Sequence, residues 1–276
     1  MDKVSVIIPT YNRAALLVRA VQSVLQQKIF SGEVIIVDDG SEDKTGEMIH
    51  SIETEKKIRY HKIKHSGPST ARNVGVELAE FPWIAFLDSD DHWCSGKIYK
   101  QMSLLQNNPE YKISHTGEKW LRRGVHLNQK KIHKPRQGNI FDHCLQLCAV
   151  GMSTVMMKKA LFVECGGFDV SLPCCEDYDF WLRVSCRHDF LLLPEPLTIK
   201  EGGRTDQLSY AFRVGMDRYR IYALEKLLKT GFLNKEQTGL TIEELSRKCR
   251  VYGNGCIKHG QPDQGAHYLA IPEKYR

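Results

Sequence analysis

Over roughly the first ninety residues, apolar runs of strand length alternate with stretches of helical periodicity, and this alternation constrains the fold more than any other feature of the chain. Val4 to Ile8 is an apolar run stopped by Pro9, and Ala14 to Gln27 follows with Leu17, Val21, Val24 and Leu25 at helical spacing. Glu33 to Val37 is a second apolar run, ended by the polar DDGS, and Asp43 to Ile52 reads as a second helix. Arg59 to Lys64 is a weaker strand, Ser69 to Ala79 a helix with a Ser or Thr available as its cap, and Trp83 to Leu87 a fourth strand. A further helix is expected from near Ser95. Strands that alternate with helices predict an α/β domain, a mostly parallel central sheet covered by helices on both faces. Its crossovers should be right-handed, and its ligand should sit beyond the carboxyl ends of the strands. After Leu208 the alternation stops. Tyr210 to Leu228 and Ile242 to His259 read as amphipathic helices, and the tract ending in YGNGCIKHGQPDQGAHYLA suggests a helical hairpin. The expected organisation is therefore an α/β domain over residues 1–208 with a helical extension, residues 209–276, packed on it.

The strand-end rule gathers polar residues from far apart in the chain. Thr10, Tyr11 and Asn12 leave the first strand, Asp38 and Asp39 the second, and Asp88, Ser89 and Asp90 the fourth. The stretch WIAFLDSDDHW sets three carboxylates, Asp88, Asp90 and Asp91, directly after an apolar run. In extended backbone Asp88 and Asp90 would share one side of the strand, and paired hard oxygens suit Mg²⁺ or Mn²⁺, whose charge relieves their repulsion. The alternative is that these acids cap the following helix, which accounts for one of them better than for three.

With 42% hydrophobic and 26% charged residues, the chain has the composition of a soluble globular protein. Lys and Arg are scattered, apart from a denser patch, RRGVHLNQKKIHKPR, from Arg122 to Arg136. Such a patch can meet nucleic acid, acidic lipid headgroups or a phosphorylated ligand, but a solvated loop explains it better, and no nucleic-acid partner is expected. No segment approaches the ~20 apolar residues that span a bilayer, and MDKVSVIIPTYN lacks the layout of a signal peptide, so the cytoplasm is the expected location. The nine cysteines are odd in number and irregularly spaced, which points to buried free thiols rather than disulfides or a zinc site.

VSVIIPTYNR, VIIVDDGSEDKT, ARNVGVELA, FLDSDD and GGFDVSLPCCEDYDFWLRV, in this order and at these distances, resemble the inverting family 2 glycosyltransferases of GT-A fold. The resemblance covers roughly the first two hundred residues. It implies nucleotide contacts from Thr10, Tyr11, Asp39 and Arg72, a DxD motif formed by Asp88, Ser89 and Asp90, and Asp90 as ligand of Mn²⁺ or Mg²⁺ with Asp88 nearer the ribose. The base it implies is Asp177 of the ED pair, with Glu176 in reserve. The chain departs from the pattern at His65, where many members have Asn, and at Cys94 to Gly96, where a Pro-containing helix start is usual. Where members often carry a His, the candidate here is Arg204, which cannot bind a metal but can grip a diphosphate through its fork of donors.

The chemistry is consistent with those roles. Sugar transfer from a nucleotide diphosphate needs stabilisation of the leaving diphosphate, which a divalent ion supplies as a Lewis acid. An alcohol acceptor needs one carboxylate to take its proton, and one displacement inverts the anomeric centre. The expected reaction moves a sugar from a nucleotide-diphosphate donor, UDP-linked, to a hydroxyl of a glycan or lipid-linked acceptor in cell-surface polysaccharide synthesis. That work would take place in the cytoplasm or peripherally at the inner face of the membrane. A sugar nucleotidyltransferase would be expected to carry a Gly-rich phosphate loop near the first strand, and PTYNRAA has no glycine. A silent sugar-binding relative would have lost the DxD or the ED acid, and both are present.

Overall fold

The computed structural model describes residues 2–27, 32–52 and 57–275. In chain order the elements are β1 (Val4–Thr10), α1 (Ala14–Leu25), β2 (Gly32–Asp38), α2 (Thr45–Ile52), β3 (Ile58–Lys62), α3 (Pro68–Leu78), β4 (Trp83–Phe86), β5 (His92–Trp93) and α4 (Lys97–Asn107). They continue with β6 (Ile113–Arg122), β7 (Val125–Leu127), α5 (Phe141–Gln146), β8 (Met156–Lys158), α6 (Lys159–Glu164), α7 (Glu176–Ser185) and β9 (Leu191–Gly202). Four helices close the chain: α8 (Leu208–Ala211), α9 (Asp217–Leu228), α10 (Lys235–Lys258) and α11 (Pro262–Ala270).

The strands form one sheet in the order β3-β2-β1-β4-β8-β6-β9-β5, with β7 paired to β6. The half read from the sequence, β3-β2-β1-β4, is parallel as expected. Beyond it β8 runs antiparallel to β4 and to β6, β9 is parallel to β6, and β5 is antiparallel to β9, so the sheet as a whole is mixed. Every residue of β1 is buried, the signature of a strand covered on both faces. Its side chains alternate between two cores. Val6 and Ile8 pack with Leu17 and Val21 of α1 and Ile98 of α4, whereas Ile7 packs with Ala71 and Val76 of α3. The crossing of α3 over β1 depends on Gly75, because a Cβ there would stand 2.4 Å from Ile7 Cγ2. The β1–β2 register pairs Thr10 with Asp38, so the two strands end flush and deliver their following loops to one place.

Several local expectations are corrected. No Ser or Thr side chain caps α3: the helix starts at Pro68, and its N-cap is Gly67 at φ 91°. Pro fits the first helical position because it has no N–H to lose there, and Gly tolerates the positive φ. The next helix begins at Lys97, after Gly96 at φ 83° and without a side-chain cap, so the capping explanation of Asp88, Asp90 and Asp91 fails. The single helix expected from Tyr210 to Leu228 is broken into α8 and α9 near Gly215, which adopts φ 83°. The helix expected from Ile242 begins earlier, at Lys235, where Asn234 and Gln237 form a reciprocal capping box.

The C-terminal hairpin forms as expected between α10 and α11. It is close-packed at two glycines, since a Cβ on Gly265 would lie 2.6 Å from the Gly253 carbonyl oxygen. Ile221, Leu224 and Leu227 of α9 and Leu245 and Cys249 of α10 are buried in the same apolar core as Tyr178 and Trp181 of α7. At its edge Asp179 of α7 binds Arg183 at 2.6 Å and Lys226 of α9 at 3.1 Å. All nine cysteines are free thiols; seven are buried as the sequence reading expects, and Cys94 and Cys148 are partly exposed.

Candidate active site

The loops that leave β1, β2 and β4 border a cleft of ≈ 630 Å³, which the start of α7 and the end of β9 complete. That size is within the range of small-molecule sites. Thr10 lines it with a buried hydroxyl that has no hydrogen-bond partner among the described residues, a polar atom left available at the cleft wall. Tyr11 is half exposed at the rim and stacks on His65 with ring centroids 4.1 Å apart.

The two aspartates after β2 diverge. Asp38 turns away from the cleft, accepting from Ser41 N–H at 2.7 Å and from the Tyr60 hydroxyl. Asp39 lines the cleft but also organises it: its carboxylate accepts from the N–H groups of Ser66 and Gly67 at 2.7 and 2.8 Å, and His65 Nδ1 lies 2.9 Å away. A carboxylate from the loop after β2 thus holds the two residues that lead into α3.

The DSDD segment is a turn rather than an extended strand, closed by the Asp91 N–H to the Asp88 carbonyl at 2.9 Å. The turn brings in the third acid. Asp88, Asp90 and Asp91 each present an oxygen, all within 4.8 Å of one another. Each acid has a cationic neighbour. Arg72 lies 2.7 Å from Asp88, and Arg204 and Arg13 lie 2.6 and 3.3 Å from Asp90. Asp91 accepts from Ser153 Oγ at 2.7 Å, and burial pushes its carboxyl well above the usual range against the opposing charge of Lys200. Burial acts on Asp88 in the same direction, but the adjacent Arg72 guanidinium outweighs it and holds the carboxyl below the usual range. Lys200, half-buried at the cleft, stays charged well above the ordinary lysine range because Glu118, Asp91 and Asp88 surround it. Three hard oxygens at this spacing fit a divalent ion such as Mg²⁺ or Mn²⁺.

On the opposite wall, α7 begins after Cys175, a non-glycine residue at φ 64°. Its first three acids have separate fates. Glu176 is buried, its carboxylate 2.7 Å from Arg72, and Asp179 is bound to Arg183 and Lys226. Only Asp177 lines the cleft without a cationic partner among the described residues. Its Oδ1 accepts from the Tyr178 N–H at 2.7 Å, and its Oδ2 from the Cys148 thiol at 2.9 Å. Burial and the charge of Asp177 push the Cys148 thiol well up, so it remains a protonated donor.

The structure therefore brings Thr10, Tyr11, Asp39, Arg72, Asp88, Asp90 and Asp177 to one cleft, with Arg204 bound to its acidic turn. Arg72 differs from expectation in one respect. Both terminal nitrogens of its guanidinium are taken by carboxylates, which makes it a strut between β4 and α7. Sequence reasoning gave Arg13, Cys148 and Lys200 no role in the site. Arg13 was visible at the end of the PTYNR motif and Cys148 as one of a pair with Cys144 a helical turn apart, read as buried free thiols, whereas nothing local marked Lys200.

A mixed sheet whose parallel half carries an acidic turn at its carboxyl edge, with a second acid on the facing helix, defines an α/β site of the GT-A type. Residues 5–162 match the model of glycosyl transferase family 2, and the chain belongs to that family. An uncharacterized glycosyltransferase of Rickettsia felis is 34% identical over 227 residues, 80% of this chain and 37% of that relative. The chain thus spans 37% of the length of this curated relative. The UDP-Glc:alpha-D-GlcNAc-diphosphoundecaprenol beta-1,3-glucosyltransferase WfaP of Escherichia coli is 30% identical over 189 residues, 67% of this chain and 70% of that one. Among solved structures, S. aureus TarS 1–349 in complex with UDP-GlcNAc superposes with a TM-score of 0.79 at 16% identity, covering 99% of this chain and 81% of that one. At that identity the likeness shows the fold. No helix among the described residues is long and apolar enough to cross a membrane.

Proposed function

We propose that the cleft binds a nucleotide-diphosphate sugar, UDP-linked, and transfers the sugar with inversion to a hydroxyl of a glycan or lipid-linked acceptor, in the synthesis of cell-surface polysaccharide. The observation that carries this reading is the division of the cleft into two walls. One is a cation-flanked acidic turn suited to a diphosphate; the other bears Asp177, which unlike the neighbouring Glu176 has no ion-pair partner among the described residues. The names of relatives support the donor and acceptor classes, since WfaP is named for a UDP-sugar donor and a lipid diphosphate acceptor.

In this reading Thr10, Tyr11 and Asp39 contact the nucleotide, Tyr11 offering a ring face and Thr10 its unpartnered hydroxyl. Asp90, with Asp88 and Asp91 beside it, holds the divalent ion, and Asp88 lies nearer the ribose. When bound, Mn²⁺ or Mg²⁺ supplies Lewis-acid stabilisation of the leaving diphosphate. Arg204 and Arg13, which neutralise Asp90 in the resting cleft, turn their donors to the phosphates. Arg72 acts through Asp88 and Glu176, holding the two walls in register. Asp177 takes the proton of the acceptor hydroxyl, with Cys148 fixing the orientation of its carboxylate. A single base and a single displacement give inversion, whereas retention would require a separate protein nucleophile.

Residues 209–276 form an extension that supports α7 and shapes the acceptor side, a role supported by Met216 and Arg220 at the cleft. The enzyme works in the cytoplasm, peripherally at the inner face of the membrane. The test is a thermal-shift panel of nucleoside diphosphates with and without Mn²⁺, because a ligand that binds only the folded state raises its melting temperature. A shift with UDP that grows with Mn²⁺ is expected. No shift with any nucleotide would overturn the reading.

A further inference from the structure

The stretch from residue 119 to 141 contains no Asp or Glu, yet it holds Lys119, Arg122, Arg123, Lys130, Lys131, Lys134 and Arg136. In the fold it becomes the β6–β7 hairpin and the loop that follows. The hairpin closes through Arg123 and Gly124, at φ 52° and 78°, the positive pair that a tight two-residue turn requires. Its tip is therefore a formed surface. Among the described residues β7 pairs with β6 alone, so it is a sheet edge.

Among the described residues, Arg136 is paired with Asp142 at 2.9 Å, while Arg122, Arg123, Lys130, Lys131 and Lys134 have no carboxylate partner. All five are exposed. Among them stand three exposed aliphatic side chains: Val125 is 70% exposed, Leu127 42% and Ile132 46%. Val125 and Leu127 are two apart on one strand, so both lie on one face of the ribbon. Cations at a sheet edge can serve only to deter edge pairing, but that role gives no reason to expose aliphatics among them.

We propose that this hairpin and loop form a docking surface for an anionic membrane, the cations meeting lipid phosphates and Val125, Leu127 and Ile132 entering the apolar boundary beneath them. The combination is that of interfacial segments, in which buried apolar area and attraction to anionic lipid act together. Nucleic acid fits less well, because single strands are held by stacking on free aromatic rings. The one tryptophan here, Trp120, is half-buried and packs on His133 with centroids 5.0 Å apart.

The surface is continuous with the cleft. A Cβ on Gly203 would stand 2.8 Å from Arg122 Cγ, and the next residue, Arg204, binds Asp90 at 2.6 Å. A hairpin seated on the bilayer therefore holds the cleft rim beside it. Delivery of acceptor by this route rests on the lipid-linked acceptor proposed above, whereas the docking itself does not.

The test is co-sedimentation of the full chain with phosphatidylcholine vesicles, with and without phosphatidylglycerol. Binding is expected only with phosphatidylglycerol and should fade in roughly 1 M salt, where the screening length falls to about 3 Å. Lys130→Glu/Lys131→Glu should weaken it by at least about tenfold, given the contribution of each cation near an anionic surface. Val125→Asp/Leu127→Asp should do the same, and Lys130→Arg/Lys131→Arg should keep it. Unchanged melting temperatures and nucleotide-induced shifts would show that the variants are folded with an intact cleft. The proposal is overturned by equal binding to both vesicles, by no binding to either, or by variants that bind like wild type. Preferential binding of an oligonucleotide, lost in the same variants, would reassign the surface to nucleic acid and overturn it too. A wild type that binds vesicles yet shows no nucleotide-induced shift would instead sink the proposed function and leave the docking surface standing.

Discussion

Arg72 on α3 lies 2.7 Å from the carboxylate of Glu176 at the start of α7, and both side chains are buried. With Asp88 at 2.7 Å on the other nitrogen, the guanidinium ties the acidic turn after β4 to the helix on the opposite wall. It also separates the acids of the ED pair, since Glu176 is neutralised by the guanidinium and Asp177 has no ion-pair partner among the described residues.

Arg72→Ala should act first on stability. It leaves Glu176 buried without its cation, and breaking a buried pair by removing one partner costs about 3–5 kcal/mol. Urea unfolding measures it, and adding Glu176→Gln should recover much of the loss. A variant of unchanged stability with weakened nucleotide binding would return Arg72 to direct contact with the ligand.

Asp177→Asn keeps shape and removes the proton acceptor. Turnover should fall by about 10²- to 10⁴-fold, the usual range for a general base, while nucleotide affinity and melting temperature hold. Cys148→Ser, which retains a donor to the carboxylate, should keep most of the activity. Turnover of Asp177→Asn above about a tenth of wild type would move the base elsewhere.

Asp90→Ala should nearly abolish transfer and weaken nucleotide binding most when Mn²⁺ is present, because Asp90 lies at the centre of the acidic turn. Arg204→Ala should weaken nucleotide-diphosphate binding by about 1.5–3 kcal/mol, the range for hydrogen bonds to charged groups. Calorimetry in Mn²⁺ and in EDTA separates the two effects. Equal wild-type affinity in both buffers would falsify the metal assignment.

Acid should destabilise the fold through His115. Burial lowers its imidazole from an ordinary 6.5 to about 4, despite the bond from Nε2–H to the Arg136 carbonyl at 2.8 Å. Between those values the unfolded chain takes up a proton that the folded chain refuses. The stability is thus complete above pH 6.5 and is lost as pH falls to about 4. The loss should be on the order of 3 kcal/mol, and His115→Gln should flatten the slope in that window. An identical pH profile for the variant would count against the assignment.

What the sequence determined by itself was the part of the protein governed by short periods. Val4 to Ile8, Glu33 to Val37 and Trp83 to Leu87 announced three parallel strands because a strand buried on both faces must be apolar throughout. Once the strands were known, the strand-end rule marked Thr10, Asp39, Asp88 and Asp90 without reference to any contact. The tertiary structure decided matters that depend on residues distant in sequence. The turn at Asp88–Asp91 pulled in a third carboxylate where extended geometry offered two. Arg72 was turned into a strut by Glu176, 104 residues away, and Asp90 was met by Arg204, 114 residues away. The antiparallel strands β5 and β8 span two and three residues, too short for a hydrophobic period to register. The spacing of Cys144 and Cys148 suggested no more than buried thiols; only the packing of α5 against α7 sets the Cys148 thiol on Asp177. Periodicity is a local property that the chain displays along its length, whereas electrostatic partners are chosen when the chain closes on itself.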